Sequence, residues 1–228
     1  MPAIWQKHLA PAAPSSRKIT VSGTVLTKTG IMADSHGHVQ RLSDAIAFLK
    51  EQDCLRMVHL GDICDSTSPQ TADACVALMQ NNTIGAVKGN NDHAISLNNA
   101  HHTWAAVSTA TINYLRNLPL LLTDQNRLFT HSLPFEKELG LSSMIGALTT
   151  ENIVRFFKSY PGFTLFRGHS HSPEMIRSEN SHFTRSPLMV GQTVDLKRTS
   201  PIIFTCGALT DGHCLIIEPE GTLTCLCF

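Results

Sequence analysis

The stretch Leu55-Arg56-Met57-Val58-His59-Leu60-Gly61-Asp62-Ile63-Cys64-Asp65 is a short, largely apolar run that stops at a glycine and passes at once into two acids three residues apart. Such a run reads as a buried β-strand ending in a turn that carries the acids. On its N-terminal side Leu42, Ala45, Ile46 and Leu49 recur at the spacing of an amphipathic helix, predicted from Val39 to Gln52. On its C-terminal side Thr71 to Gln80 reads as helix, and Ile84-Gly85-Ala86-Val87 as a second strand that stops before Gly89. Alternating strands and helices imply parallel strands joined by crossover helices, and in open α/β sheets functional residues gather in the loops at the strands' C-terminal ends.

Further along, a helix over Thr109 to Asn117 stops before Pro119. Leu120 to Thr123 and Arg127 to Thr130 then flank the polar turn Asp124-Gln125-Asn126 as a hairpin. Helical patterning returns from Ser142 to Ser159 and is broken by Gly162. Phe163 to Arg167 forms a strand leading into Gly168, and short β-branched runs such as Leu215-Ile216-Ile217 predict strands to the end, Cys225 and Cys227 among them. The second half therefore forms a second sheet packed on the first, with helices outside. Residues 1–18 mix Trp5, Lys7 and His8 with Pro2, Pro11 and Pro14 and are expected to be an irregular extension without the apolar core of a signal peptide; residues 19–228 are expected to form a single domain.

A hydrophobic content of 42% and a charged content of 16% exclude a disordered chain, and no apolar run is long enough to span a bilayer. The formal net charge is zero, so no global field draws the protein to nucleic acid or to anionic lipid, and no specific nucleic-acid partner or membrane is expected. Seven cysteines without a CxxC pair favour free thiols and a cytoplasmic location. Homo-oligomerisation is left open.

Five clusters share one composition: Asp34-Ser35-His36, Gly61-Asp62-Ile63-Cys64-Asp65, Gly89-Asn90-Asn91-Asp92, His131, and Gly168-His169-Ser170-His171. Carboxylate, imidazole and amide oxygen together suit divalent ions such as Mn, Fe, Zn, Ni or Co, and the scarcity of Cys argues against a closed structural zinc site. In an extended segment residues i and i+2 face the same side, so Asp34 with His36, and His169 with His171, are each expected to present two donors to one centre. The neighbouring glycines permit the sharp turns that aim them.

In order, these clusters resemble the calcineurin-like metallophosphoesterases, whose pattern runs D-x-H, GD-x-x-D, GN-x-D/E, a lone His after a strand, and GH-x-H. The short length, GNND in place of GNHE, and the Leu118-Pro119 step look like the small prokaryotic phosphodiesterase branch; Thr205-Cys206-Gly207-Ala208 stands where that branch carries an Asn-Pro-Gly-Ser-like turn, with poor agreement. The resemblance implies a four-layer αββα sandwich of two mixed β-sheets flanked by helices. It implies two divalent ions, manganese first among the options, with Asp34, His36, Asp62 and His171 around one and Asp62, Asn90, His131 and His169 around the other. A hydroxide held between the ions would attack in line at the phosphorus of a small-molecule phosphate ester.

Asp65 and Asp92 are expected behind the ligands, accepting from a metal-bound imidazole. Asn91 stands where the GNHE version carries a proton-donating His, so either the leaving group needs little help or His38 or His93 supplies the proton. Lys88 is read as the only cation directly beside a motif, which favours a monoanionic diester over a monoester dianion. A phosphomonoesterase, a nucleotide pyrophosphohydrolase and a silent metal-binding scaffold are the alternatives. His8, His59, His101, His102, His182 and His213 are read as surface or packing residues, with substrate contact a minor option for His101 and His102. Cys64 is read as a small buried residue rather than a redox-sensitive thiol.

Overall fold

A computed structural model describes residues 27–98, 107–135, 140–179, 182–198 and 201–228. The expected N-terminal extension, and His8, His101 and His102, lie outside the described residues. The N-terminal half runs β1 (Thr29–Met32), α1 (Val39–Glu51), β2 (Arg56–His59), α2 (Ala72–Asn81), β3 (Gly85–Ala86), α3 (Asn90–Asn98) and α4 (Thr109–Asn117). The hairpin β4 (Leu121–Asp124) and β5 (Arg127–Thr130) follows, then α5 (Leu141–Ile145), α6 (Thr150–Ser159) and β6 (Thr164–Arg167). The remainder is β7 (Glu174–Glu179), β8 (His182–Pro187), β9 (Thr193–Asp195), β10 (Ile202–Thr205), β11 (His213–Ile217) and β12 (Thr222–Cys227).

Two six-stranded mixed sheets result, one in the order β3-β2-β1-β11-β12-β9 and the other β4-β5-β6-β10-β7-β8. β1, β2 and β3 are parallel, as the alternating pattern predicts. β5, β6 and β10 are parallel in the second sheet. Every residue of β1 and of β6 is buried, because each sheet is covered on both faces. Alternate residues serve different layers: Met32 packs toward Leu42, Leu49 and Met79 of the helices, while Ile31 faces Phe166 and Phe204 between the sheets. On the far side of the second sheet Leu128, Leu165 and Ile203 meet Ile153 and Phe156 of α6. The layers are therefore helix, sheet, sheet, helix. Among the described residues no helix is long and apolar enough to cross a membrane.

The helix expected from Ser142 to Ser159 is two helices. Gly146 leaves α5 in an extended conformation, where a Cβ would run into the Leu133 side chain and the Ser142 carbonyl. Thr149 then restarts the chain as an N-cap, its side chain accepting from the Asn152 N–H at 3.2 Å. The carbonyls freed by the interruption are used by the loop after β5: Ser132 N–H donates to Ser143 O at 2.8 Å, and its hydroxyl to Gly146 O. A second difference is α3, a helix that opens at Asn90 itself and that the weakly patterned sequence does not announce.

Between the sheets the rings of Phe129, Phe166 and Phe204 stack side by side, with centroids 5.3 and 5.5 Å apart. Phe166→Ala should leave a void on both sides and cost about 3–5 kcal/mol of unfolding free energy. Denaturant midpoints, with an unchanged m-value, are the measurement; a loss below about 1 kcal/mol would mean the sheets close over the gap.

Candidate metal centre

The parallel strands of both sheets end on one rim of the sandwich. Loops after β1, β2 and β3 bring Asp34 to His36, Gly61 to Asp65 and Gly89 to Asp92; loops after β5, β6 and β10 bring His131, Gly168 to His171 and Cys206 to Ala208. The loops are stitched to one another by backbone bonds, Asp34 N–H to Gly61 O, His36 N–H to Asp62 O, Gly168 N–H to His131 O and Ala208 N–H to His171 O among them. Leu209 N–H to Ala33 O ties the two sheets together there.

The expectation that Asp34 with His36, and His169 with His171, share a side through extended backbone is not what the structure shows. Asp34, His36, Asp62, His169 and His171 all have positive φ, between 44° and 71°. Left-handed backbone of this kind is rare for residues with a Cβ and gathers at functional sites, at a cost on the order of 1–3 kcal/mol per residue. It turns each side chain inward at the first residues beyond a strand, which a continuing pleat would not do. The glycines act by size. A Cβ on Gly89 would overlap the Asp62 backbone nitrogen and carboxylate, and one on Gly168 would come 2.8 Å from Asp34 Oδ2.

Seven of the residues singled out from the sequence converge. His36 Nε2 and His171 Nε2 lie 3.0 Å apart, with His171 Nε2 3.7 Å from Asp34 Oδ1 and His36 Nε2 3.9 Å from Asp62 Oδ2. Beside them His131 Nε2 lies 3.1 Å from Asn90 Oδ1, 3.3 Å from His169 Nδ1 and 3.6 Å from Asp62 Oδ2. His131 Nδ1 donates to Leu60 O at 2.8 Å, which fixes the tautomer and leaves Nε2 as a bare lone pair aimed at the cluster. Turned over, the Asn90 amide would donate to both imidazoles and to Met144 O. With its oxygen inward it adds another lone pair, the orientation a cation selects.

Asp34 is fully buried and accepts the His169 N–H, at 3.0 Å through its nearer oxygen, and Asp62 is nearly as buried. Burial, then the charge of Asp62, pushes the Asp34 carboxyl well above its ordinary value. Burial likewise pushes the imidazoles of His36 and His169 down and that of His131 to about 4, so they are neutral donors at pH 7. Buried carboxylates need a counter-charge, and neutral imidazoles with inward lone pairs can share one. The donor set fits divalent cations. Asp34, His36 and His171 offer donor atoms within 4.8 Å of one another, as do Asp34, Asp62 and His131.

The remaining expectations fare differently. Asn91 grips Asp62: its backbone N–H donates to Oδ1 at 2.8 Å and its Nδ2 to Oδ2 at 2.7 Å, while its Oδ1 accepts from the Ser66 N–H and hydroxyl. Asp92 does not accept from an imidazole. It is fully buried and receives the N–H groups of Gly89 and Cys64, bracing two loops, and burial followed by the Asp62 charge raises its pKa to about 7. Asp65 is taken up by Thr67, whose N–H and hydroxyl both donate to it at 2.7 Å. The Leu60 carbonyl holds the imidazole of His131 instead. His38 is exposed just before α1, and His93 is half-buried in the first turn of α3; neither belongs to the convergent set.

Lys88 donates to the Arg116 carbonyl at 2.6 Å, which ties it to α4. It is also not the only cation beside a motif, for Arg167 immediately precedes Gly168 and is almost completely buried. A charged residue ending the apolar run Phe163-Thr164-Leu165-Phe166 was the signal available. The described cysteines are free, and burial pushes the Cys64 thiol far up, which makes it inert. His59, read as packing, is fully buried beneath the site. Ser35 Oγ donates to Ile63 O, so His59 Nε2 must donate to Ser35 Oγ, at 3.0 Å.

The sequence profile of the calcineurin-like phosphoesterase superfamily domain matches residues 28–202, and the chain belongs to that superfamily. A metallophosphoesterase from Sphaerobacter thermophilus superposes with a TM-score of 0.69 at 20% identity, covering 88% of this chain and 87% of its own. The protein TT1561 of Thermus thermophilus superposes at 0.51 with 8% identity, covering 90% and 99%. These likenesses show the fold. None of the curated proteins compared with the chain matches it.

His59 yields a test of the packing beneath the site. Burial, reinforced by His131, lowers its pKa from 6.5 to about 3. The unfolded chain therefore takes the proton first, and the stability that neutral His59 permits is present above about pH 6.5 and lost as pH falls toward 3. Asp92, with a raised pKa, works in the opposite sense and cancels between parent and variant. His59→Leu should lose less stability on acidification, the gap growing by up to about 1.4 kcal/mol per pH unit. Urea midpoints of both proteins across roughly pH 4 to 7, taken without metal, check this; parallel profiles would refute it.

Proposed function

We propose that the chain is a dinuclear-metal-dependent phosphodiesterase acting on a small-molecule phosphate ester. The observation that carries the reading is the convergence of groups able to ligate a cation, two buried carboxylates, an amide oxygen and four imidazoles, at the rim where both sheets end. On this reading Asp34, His36, Asp62 and His171 hold one ion and Asp62, Asn90, His131 and His169 the other, with Asp62 shared. When bound, the ions, manganese being our first choice, supply Lewis acidity and water activation for in-line displacement at phosphorus.

The chain's own residues do the rest. Asn91 fixes both oxygens of Asp62, so the shared carboxylate cannot rotate between the two positions. Two carboxylates only half offset two divalent ions, which leaves a locally positive seat for phosphate on a protein of zero net charge. Diesters are favoured because, among the described residues, the two cations beside the motifs are tied elsewhere, Lys88 to the Arg116 carbonyl and Arg167 to buried acceptors, and neither is set as a clamp for a dianion's second charge. Asn91 has no proton to give, so a poor leaving group would draw on His38 or His93. The free thiols support a reducing compartment, the cytoplasm.

The protein, stripped of metal and reloaded with Mn²⁺, should hydrolyse a chromogenic aryl phosphodiester faster than the matching monoester, and Asp62→Asn should abolish both. Preference for the monoester would turn the reading toward a phosphomonoesterase, and absence of turnover with both ions bound toward a scaffold. Asn91→Ala should bind the ions about 10–100-fold more weakly, as loss of a group behind a ligand does, and lower kcat with it; wild-type affinity in a titration would show that Asp62 needs no grip.

A further inference from the structure

We propose that Arg167 is a positioning residue of the metal centre, a buried fork that locks three ligand-bearing or ligand-backing loops to one another; the proposal rests on the dinuclear reading above. The guanidinium closes β6 and is 2% exposed. Nε donates to Ser132 O at 3.1 Å and Nη2 to Ser132 Oγ at 3.4 Å, which grips the residue directly after His131. Nη1 donates to Ser170 Oγ at 3.2 Å, between His169 and His171, and to Thr205 Oγ1 at 3.1 Å, at the start of the turn whose Ala208 N–H holds the His171 carbonyl.

All four bonds go to neutral acceptors. Among the described residues no carboxylate makes a direct ion pair with the group; Asp34 and Glu174 act on its buried charge only from beyond that distance. Burial of that kind is costly and is unexpected in a strand whose neighbours Leu165 and Phe166 simply pack. A residue serving the core alone would be apolar. A planar fork with five donors is the side chain able to fix acceptors on several loops at set angles, which lysine's single ammonium cannot reproduce. Ser132 completes the linkage: its hydroxyl donates to Gly146 O, so its lone pairs are free to accept from Arg167, and α5 is joined to the same network. His131, His169 and His171 thus keep their mutual distances through one cation.

The test is a Co²⁺ titration of the full-length chain followed by visible absorption, alongside histidine-ring NMR before and after loading. Arg167→Met should weaken Co²⁺ binding about 10–100-fold and alter the absorption bands. It should shift the ring signals of His131, His169 and His171 while leaving those of His182 unchanged. Arg167→Lys should recover stability but not the bands. If Arg167→Met does not fold, Ser170→Ala, which removes one arm at an exposed position, should still move the signals of His169 and His171. Wild-type affinity, bands and ring signals in the folded variants would overturn the proposal. A parent chain that takes up fewer than two ions would instead sink the dinuclear reading, and the ring signals before loading would then decide the role of Arg167.

Discussion

Two carboxylates buried within reach of each other are the constraint around which this molecule is arranged. Asp34 and Asp62 sit at the ends of neighbouring parallel strands, out of water, where each charge raises the cost of the other. The surroundings are organised to bear that cost. Backbone N–H groups of His169 and Asn91 point at the carboxylates, the Asn91 amide closes on Asp62, and four imidazoles turn ring nitrogens into the same space. A fold that only had to be stable would put apolar residues there.

The cost falls on backbone geometry as well as on charge. Five of the eight non-glycine residues with left-handed backbone among those described are members of the convergent set. Strain of this kind persists only where the surroundings over-determine it. Here the determination comes from loop-to-loop bonds, from Gly61, Gly89 and Gly168, where a Cβ would overlap the neighbouring loops, and from the rigidity of two sheets covered on both faces. The donors are consequently preorganised before any ion arrives.

Much of this was legible in the sequence, and for a physical reason. Parallel strands end in glycine-marked turns, so their loops, with Asp34 to His36, Gly61 to Asp65, Gly89 to Asp92 and Gly168 to His171, stand out against apolar runs. What was not legible depends on partners distant in the chain. The break at Gly146 reflects the needs of Ser132, fourteen residues away. Asp92 looked like a carboxylate for an imidazole, but the imidazole found the Leu60 carbonyl and Asp92 found two backbone N–H groups. Periodicity cannot see such exchanges. Arg167 was visible as an oddity in a buried strand, yet its meaning needed the acceptors from three loops.

The pairing of β1 with β11 has a consequence for how the chain is made. β1, whose end carries Asp34, is hydrogen-bonded on one side to β2, which follows it closely, and on the other to β11, which lies far along the chain beyond the whole second sheet. Contacts so remote in sequence are slow to form and leave an unpaired strand edge meanwhile. During synthesis the first half can gather its parallel strands and crossover helices, but the inner edge of β1 stays open to any passing strand until β11 arrives. Vectorial assembly therefore leaves the strand that carries Asp34 paired on one edge alone while the whole second sheet is being made.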